Sequence, residues 1–198
     1  MTDGSGDARV AGMEHAIPSE PMTVEEFERW LEDRPDETRY ELADGAVVAM
    51  APERVVHALL KTAAFNALRA AAKGMDCEAI PDGVAVRVEA KTLREPDAAL
   101  RCGPRLPQGV SIYDDPVVLV EVLSPATAHT DLLNKVTEYG RLPTLAHYLI
   151  VDAQKRIVMH HRREGEGFFT TILPGGRLAL DPPGITLDLD AILSEIDV

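Results

Sequence analysis

The chain has only two cysteines, Cys77 and Cys102, and they form no CxxC pair. These are too few soft ligands for a cysteine-based zinc site. Two cysteines in 198 residues read most simply as reduced thiols of an intracellular, cytoplasmic protein. Basic residues are also scarce: 20 Lys and Arg stand against 33 Asp and Glu, for a net charge of −13. That balance excludes a protein that holds nucleic acid by bulk electrostatic attraction. It leaves room for an enzyme with a local basic contact, or with an acidic site neutralised by a metal. No apolar run approaches the roughly 18 residues of a membrane helix, so no membrane partner is expected. The opening "MTDGSGDARVAGMEHAIPSEP" has no cationic start followed by an apolar core, which excludes a secretory signal. Internal repeats, GxGxxG and a P-loop are absent as well.

The chain is otherwise of ordinary globular composition, 45% hydrophobic and 27% charged. Residues 1–20 are small, polar and Gly-containing and read as a disordered tail, which leaves 21–198 as one domain. "MTVEEFERWLED" begins a helix, with Thr23 and Glu26 at capping-box spacing. "RYELADGAVVAMA" predicts a hairpin that turns at Ala43-Asp44-Gly45. "PERVVHALLKTAAFNALRAAAKG" predicts a long helix with Pro52 at its start and Gly74 as its stop. Short strands follow at "CEAI", "VAVRVE" and "DAALRC", then a long loop to Pro116, the apolar strand "VVLVEVL", a helix after Pro125, and strands at "HYLIVD", "IVMHHRRE" and "FFTTILP". This order predicts an α/β or α+β architecture, a mixed sheet flanked by helices.

The strand Val117–Leu123 poses the chemical question. It is aliphatic throughout except at Glu121, and a carboxylate inside such a strand is costly unless something neutralises it. Parity puts Leu119, Glu121 and Leu123 on one face. A second carboxylate, Asp97, opens the short apolar strand of "LREPDAAL", where Pro96 fits only at a strand start or edge. Lys135 lies on the helix that follows Pro125. Two carboxylates from neighbouring strands can bind Mg²⁺ or Mn²⁺, and a nearby lysine can stabilise charge on a transferring phosphate. Read alone, a buried glutamate such as Glu121 is more often a structural acid, paired with an arginine or with backbone groups, than a metal ligand.

"YELADGAVVAMAPERVVH", "EPDAAL", "DDPVVLVEVLSPATAHTDLLNKVTEYGRL" and "HYLIVDAQKRIVMHHR" together resemble the Uma-two family of restriction-endonuclease-like bacterial proteins, within the PD-(D/E)xK nuclease superfamily. The resemblance runs from about Met22 to the end. It implies a restriction-endonuclease-like core, a divalent metal (Mg²⁺ or Mn²⁺) and phosphodiester hydrolysis, with DNA ahead of RNA as substrate. By the family motif, Asp97 and Glu121 bind the metal. The superfamily lysine normally lies two residues after the second acid, where this chain has Leu123; the resemblance moves its role to Lys135. Glu41 and His57 match family positions and count as accessory residues. A homodimer follows from the same resemblance, since symmetric nucleases cut two strands.

Arg54, His57 and Lys61 share one helical face by i, i+3 and i+7 spacing, which reads either as a phosphate contact or as a solvated stripe. Arg101, Arg105 and the run His160–Arg163 are further phosphate-contact candidates, although strand alternation lets at most half of that run face one ligand. Two rival functions stand beside the nuclease. One is a catalytically inactive nuclease-fold module for regulation or interaction. The other is a metal-dependent hydrolase of a small phosphoester.

Overall fold

In a computed structural model, the structure describes residues 17–34, 38–123 and 130–197. Of the tail expected over residues 1–20, the first 16 lie outside them, as does the turn at Ser124-Pro125. The elements in chain order are α1 (Val24–Glu32), the hairpin β1 (Tyr40–Ala43) and β2 (Ala46–Ala49), and α2 (Val55–Ala71). Then come β3 (Cys77–Pro81), β4 (Ala85–Glu89), β5 (Thr92–Arg94), β6 (Ala98–Cys102), β7 (Ile112–Tyr113) and β8 (Pro116–Val122). They are followed by α3 (Thr130–Tyr139), β9 (His147–Asp152), β10 (Ile157–Glu164), β11 (Gly167–Leu173), β12 (Arg177–Leu180), β13 (Ile185–Asp188) and α4 (Leu189–Leu193). The mixed sheets flanked by helices agree with the sequence expectation.

The main sheet has six strands in the order β11-β10-β9-β8-β6-β3. Its β8–β9 pair is parallel and its other pairs are antiparallel. The aliphatic β8 is therefore central, and both of its faces are covered. Val118, Val120 and Val122 meet Leu60, Ala64 and Leu68 of α2, together with β12, β13 and α4. Leu119, on the other face, joins Tyr139 of α3, Tyr148, Ile150, and Val86 and Tyr113 from the second sheet. That second sheet runs β2-β1-β5-β4-β7. The amphipathic α1 packs on it through Val24 and Phe27, which meet Leu42, Val47 and Leu93.

Local chemistry explains the element ends. Thr23 and Glu26 form the expected capping box at α1. At the β1–β2 turn, Asp44 and Gly45 have φ of 47° and 84°. A Cβ on Gly45 would stand 2.7 Å from the Pro21 Cβ, so the turn and the chain entering α1 both require glycine. Helix α2 starts later than Pro52 suggests, because Arg54 is its extended N-cap.

The register of β3 on β6 puts Cys77 opposite Cys102, and the two form a disulfide. This corrects the reading of two reduced thiols: 25 residues separate the cysteines in sequence, and only the strand pairing makes them neighbours.

The run His160–Arg163 divides between the two faces as alternation requires. His147 Nδ1 lies 3.0 Å from His160 Nε2 on one face, and His161 Nδ1 lies 2.8 Å from Thr170 Oγ1 on the other. Burial, and behind it the nearby imidazoles and Arg162, lowers His160 to about 4. A depressed folded-state value means stability that is fully present above the unfolded value of 6.5 and lost as pH falls through about 4. His160→Gln removes this sensitivity. The variant's unfolding free energy, measured in urea from pH 7 to 4, should gain on wild type by up to about 3 kcal/mol, at about 1.4 kcal/mol per pK unit. A pH-independent difference would refute the assignment.

Candidate active site

The site forms where β6 begins and β8 ends. Ala98 pairs with Val120, and one further step of that antiparallel register sets Asp97 opposite Glu121. Pro96 cannot donate to a ladder, and the strand starts only at Ala98. The Asp97 carboxylate supplies an acceptor at that point, with Oδ2 receiving the Val122 N–H at 2.6 Å. Both acids are buried, at 6% and 8% exposure.

Around Glu121, the Lys135 Nζ lies 3.0 Å from each carboxylate oxygen, and the Tyr139 hydroxyl donates to Oε1 at 2.8 Å. Lys135 and Tyr139 are i, i+4 on α3, so one helix face delivers both. Lys135 also stands 3.6 Å from Glu41 Oε1. Glu41, on β1, accepts from Arg94 Nη1 and from the Glu95 N–H, each at 2.9 Å. The same arginine holds Glu138 of α3 through Nε and Nη2, at 2.7 and 2.9 Å.

On the other side of Asp97 lies the first turn of α2. His57 Nε2 is 2.8 Å from the Val122 carbonyl and 3.6 Å from Asp97 Oδ2. A carbonyl only accepts, so Nε2 is the donor in that contact. Nδ1 is buried, accepts no hydrogen bond among the described residues, and lies 3.5 Å from Glu53 Oε1. Lys61 Nζ bonds Glu53, lies 2.5 Å from Asp82 Oδ2, and is 3.9 Å from Asp97 Oδ1. Arg39 closes this half, gripping Asp82 and Glu95.

Burial is the main electrostatic force here. It pushes Asp97 up to about 7, against the pull of the Val122 N–H, Lys61 and Lys135. It pushes Glu121 to about 7 too, where Lys135 opposes it while Asp97 and Glu41 reinforce it. Glu41 feels the same burial, but Lys135 and Arg94 outweigh it and leave its carboxyl below the usual value. Among the described residues, seven carboxylates (Glu41, Glu53, Asp82, Glu95, Asp97, Glu121 and Glu138) share four cations (Arg39, Lys61, Arg94 and Lys135). The deficit falls on Asp97 and Glu121.

A divalent ion fits this chemistry. Asp97 and Glu121 offer hard, buried carboxylate oxygens, and among the described residues the fixed cations do not balance them. Glu53, His57 and Asp97 each offer a ligand atom, all within 4.8 Å of one another.

The structure thus gathers Asp97, Glu121, Lys135, Glu41, His57 and Lys61. It does not bring in Arg101, which is four residues along β6, or about 13 Å at strand rise. Its guanidinium is bound by Asp115, Glu78 and the Pro104 carbonyl. Arg163 caps carbonyls of Gly140, Leu142 and Leu145, and Arg162 pairs with Glu164. Arg54 is exposed at the head of α2, and Arg105 is exposed in the loop after β6. The sequence reading missed Glu53, Asp82, Arg94 and Glu138. Glu53 stands i−4 from His57, and Glu138 i+3 from Lys135, so helix geometry held that signal; Asp82 and Arg94 join only through sheet pairing.

Comparison with known proteins gives a consistent family. The Uma2 family, described as "Putative restriction endonuclease", matches residues 24–191. An uncharacterized protein of Synechocystis sp., slr1290, is 28% identical over 180 residues, which cover 89% of this chain and 94% of that protein. A crystal structure from Anabaena variabilis, described as a "putative nuclease belonging to DUF820", shares the fold at a TM-score of 0.72. It is 16% identical, over 89% of this chain and 99% of the other.

Proposed function

The chain belongs to the Uma2 family, and from that membership we propose that it is a metal-dependent endonuclease that hydrolyses phosphodiester bonds, of DNA ahead of RNA. The observation that carries the reading is two buried acids at adjoining strand ends, Asp97 just before Ala98 and Glu121 just after its partner Val120, with Lys135 on Glu121. Asp97 and Glu121 would hold Mg²⁺ or Mn²⁺, with His57 and Glu53 as neighbouring donors on the Asp97 side. When bound, such an ion supplies Lewis acidity toward water and a phosphoryl oxygen.

The chain's own residues do the rest. Tyr139 fixes one Glu121 oxygen, so the carboxylate cannot swing away. The Lys135 ammonium stands beside it, a donor for the charge that builds on a phosphate. Glu41 stands 3.6 Å from the same ammonium, whose closer partner is Glu121. Arg54, exposed near His57, is the proposed phosphate-backbone contact; Lys61, committed to Glu53 and Asp82, acts on Asp97. A homodimer would set two such sites against the two strands of a duplex.

The test is cleavage of supercoiled plasmid with Mg²⁺, Mn²⁺ or EDTA, alongside titration of Mn²⁺ by electron paramagnetic resonance. The expected result is ion-dependent nicking or linearisation, with tight Mn²⁺ binding lost in Asp97→Asn. Failure to cleave DNA or RNA with either ion would turn the reading to an inactive nuclease-fold module.

A further inference from the structure

Arg94 has no part in the chemistry proposed above, yet it is the most buried cation of the network, at 3% exposure. It stands on β5 in the second sheet, and its guanidinium spans two acids on two other elements. Its bidentate grip on Glu138 reaches α3, and its remaining Nη1 reaches Glu41 on β1. Buried ion pairs of this kind are weak sources of stability, because desolvation consumes much of the Coulomb gain. The arrangement therefore invites a functional reason.

That reason lies one turn back along α3. Lys135, Glu138 and Tyr139 are i, i+3 and i+4, so they share a helix face. The direction in which Glu138 is held sets the rotation of the helix, and with it the direction in which Lys135 reaches. Among the contacts of the described residues, two carboxylates compete for its ammonium: Glu121 at 3.0 Å and Glu41 at 3.6 Å. Arg94 acts on both terms of that competition. It fixes the helix through Glu138, and it occupies Glu41 Oε2 while the Glu95 N–H occupies Oε1. We propose that Arg94 is a positioning residue, which clamps Glu138 of α3 and Glu41 of β1 together and so aims the Lys135 ammonium at Glu121 instead of at Glu41. The catalytic consequence rests on the nuclease reading; the placement of Lys135 does not.

The test uses the full chain, metal-free for the structures and with Mg²⁺ for the kinetics, and two variants, Arg94→Lys and Glu138→Gln. A lysine is a point donor and cannot reproduce the planar fork that serves both acids. Crystal structures of the variants should show the Lys135 Nζ withdrawn from Glu121 and within hydrogen-bond distance of Glu41. In Mg²⁺-dependent cleavage, kcat should fall on the order of 10²-fold with KM for DNA unchanged, the scale expected for small misplacements of a catalytic group. Should Arg94→Lys fail to fold, Glu138→Gln decides by the same measurements, since it keeps the side-chain volume. A lowered unfolding temperature with Lys135 still on Glu121 would make Arg94 a structural ion pair and overturn the proposal. If wild type cleaves nothing, the nuclease reading fails separately; the position of Lys135 in the variants still supports or overturns the positioning role.

Discussion

Glu121→Gln is expected to reduce Mg²⁺- or Mn²⁺-dependent hydrolysis by about 10³-fold or more, a scale seen when one electrostatic group of an active site is removed, while leaving the fold intact. The amide matches the carboxylate in shape and can still accept the Tyr139 hydroxyl at the Oε1 position. What it removes is a negative charge that burial already opposes, with the carboxyl pushed up to about 7. Unpaired buried charge costs free energy, so its loss is neutral or stabilising provided its partner is not stranded. Lys135 is not stranded, because Glu41 lies 3.6 Å away. The two effects therefore separate: Mn²⁺ affinity and turnover fall, while the urea midpoint at pH 8 holds or rises. If the variant keeps wild-type turnover with Mg²⁺, Glu121 is a structural acid and the proposed centre is wrong.

That separation is the test of the question the sequence raised about a carboxylate in an apolar strand. The strand itself was legible, since an aliphatic run bounded by turn residues reads as a central strand, and β8 is central. The placing of Asp97 and Glu121 at adjoining strand ends was legible in outline, because both acids flank apolar strand segments. The register that sets them opposite was not, because it is fixed by β6–β8 pairing across 20-odd residues, and pattern alone does not give that offset. Cys77 and Cys102 failed for the same reason: their neighbourhood is a property of the β3–β6 ladder. Lys61 shows a different limit. Helical spacing placed it correctly beside His57, but the reading as a free cation for phosphate missed Glu53 and Asp82, which bind it. Periodicity gives the face a residue occupies, and the partner comes from another element.

The acidic composition also takes on a local meaning. The net charge of −13 disfavours a broad electrostatic grip on DNA. Within the site, however, the surplus acid sits on Asp97 and Glu121, where a divalent ion would relieve it. Binding that depends on few phosphate contacts should have a shallow salt dependence, since each neutralised phosphate contributes about one to the slope.

Lys135→Ala should separate the two roles an ammonium can play beside such a centre. If Lys135 only neutralised Glu121, its removal would leave the reaction rate of the loaded protein unchanged. If it also stabilises charge that develops on the phosphate, kcat falls, on the order of 10²-fold for one lost donor. Metal binding should move the other way. The ammonium lies 3.0 Å from both Glu121 oxygens and repels a second cation there, so its loss should tighten Mn²⁺ binding at pH 8. The pH dependence has a definite sign. Burial raises Glu121, and Lys135 is the foremost influence lowering it. Without the ammonium the carboxyl titrates still higher, so the acid limb of the cleavage profile shifts to higher pH. Folding stability near pH 7 changes little, because the unpaired carboxyl takes up a proton instead of remaining charged. Lys135→Arg keeps the charge and should leave the acid limb near its wild-type position. The decisive measurements are kcat against pH and Mn²⁺ affinity at pH 8 for both variants. An unchanged kcat in Lys135→Ala, with Mn²⁺ bound as in wild type, would reduce Lys135 to a counter-ion and remove it from the chemistry of this site.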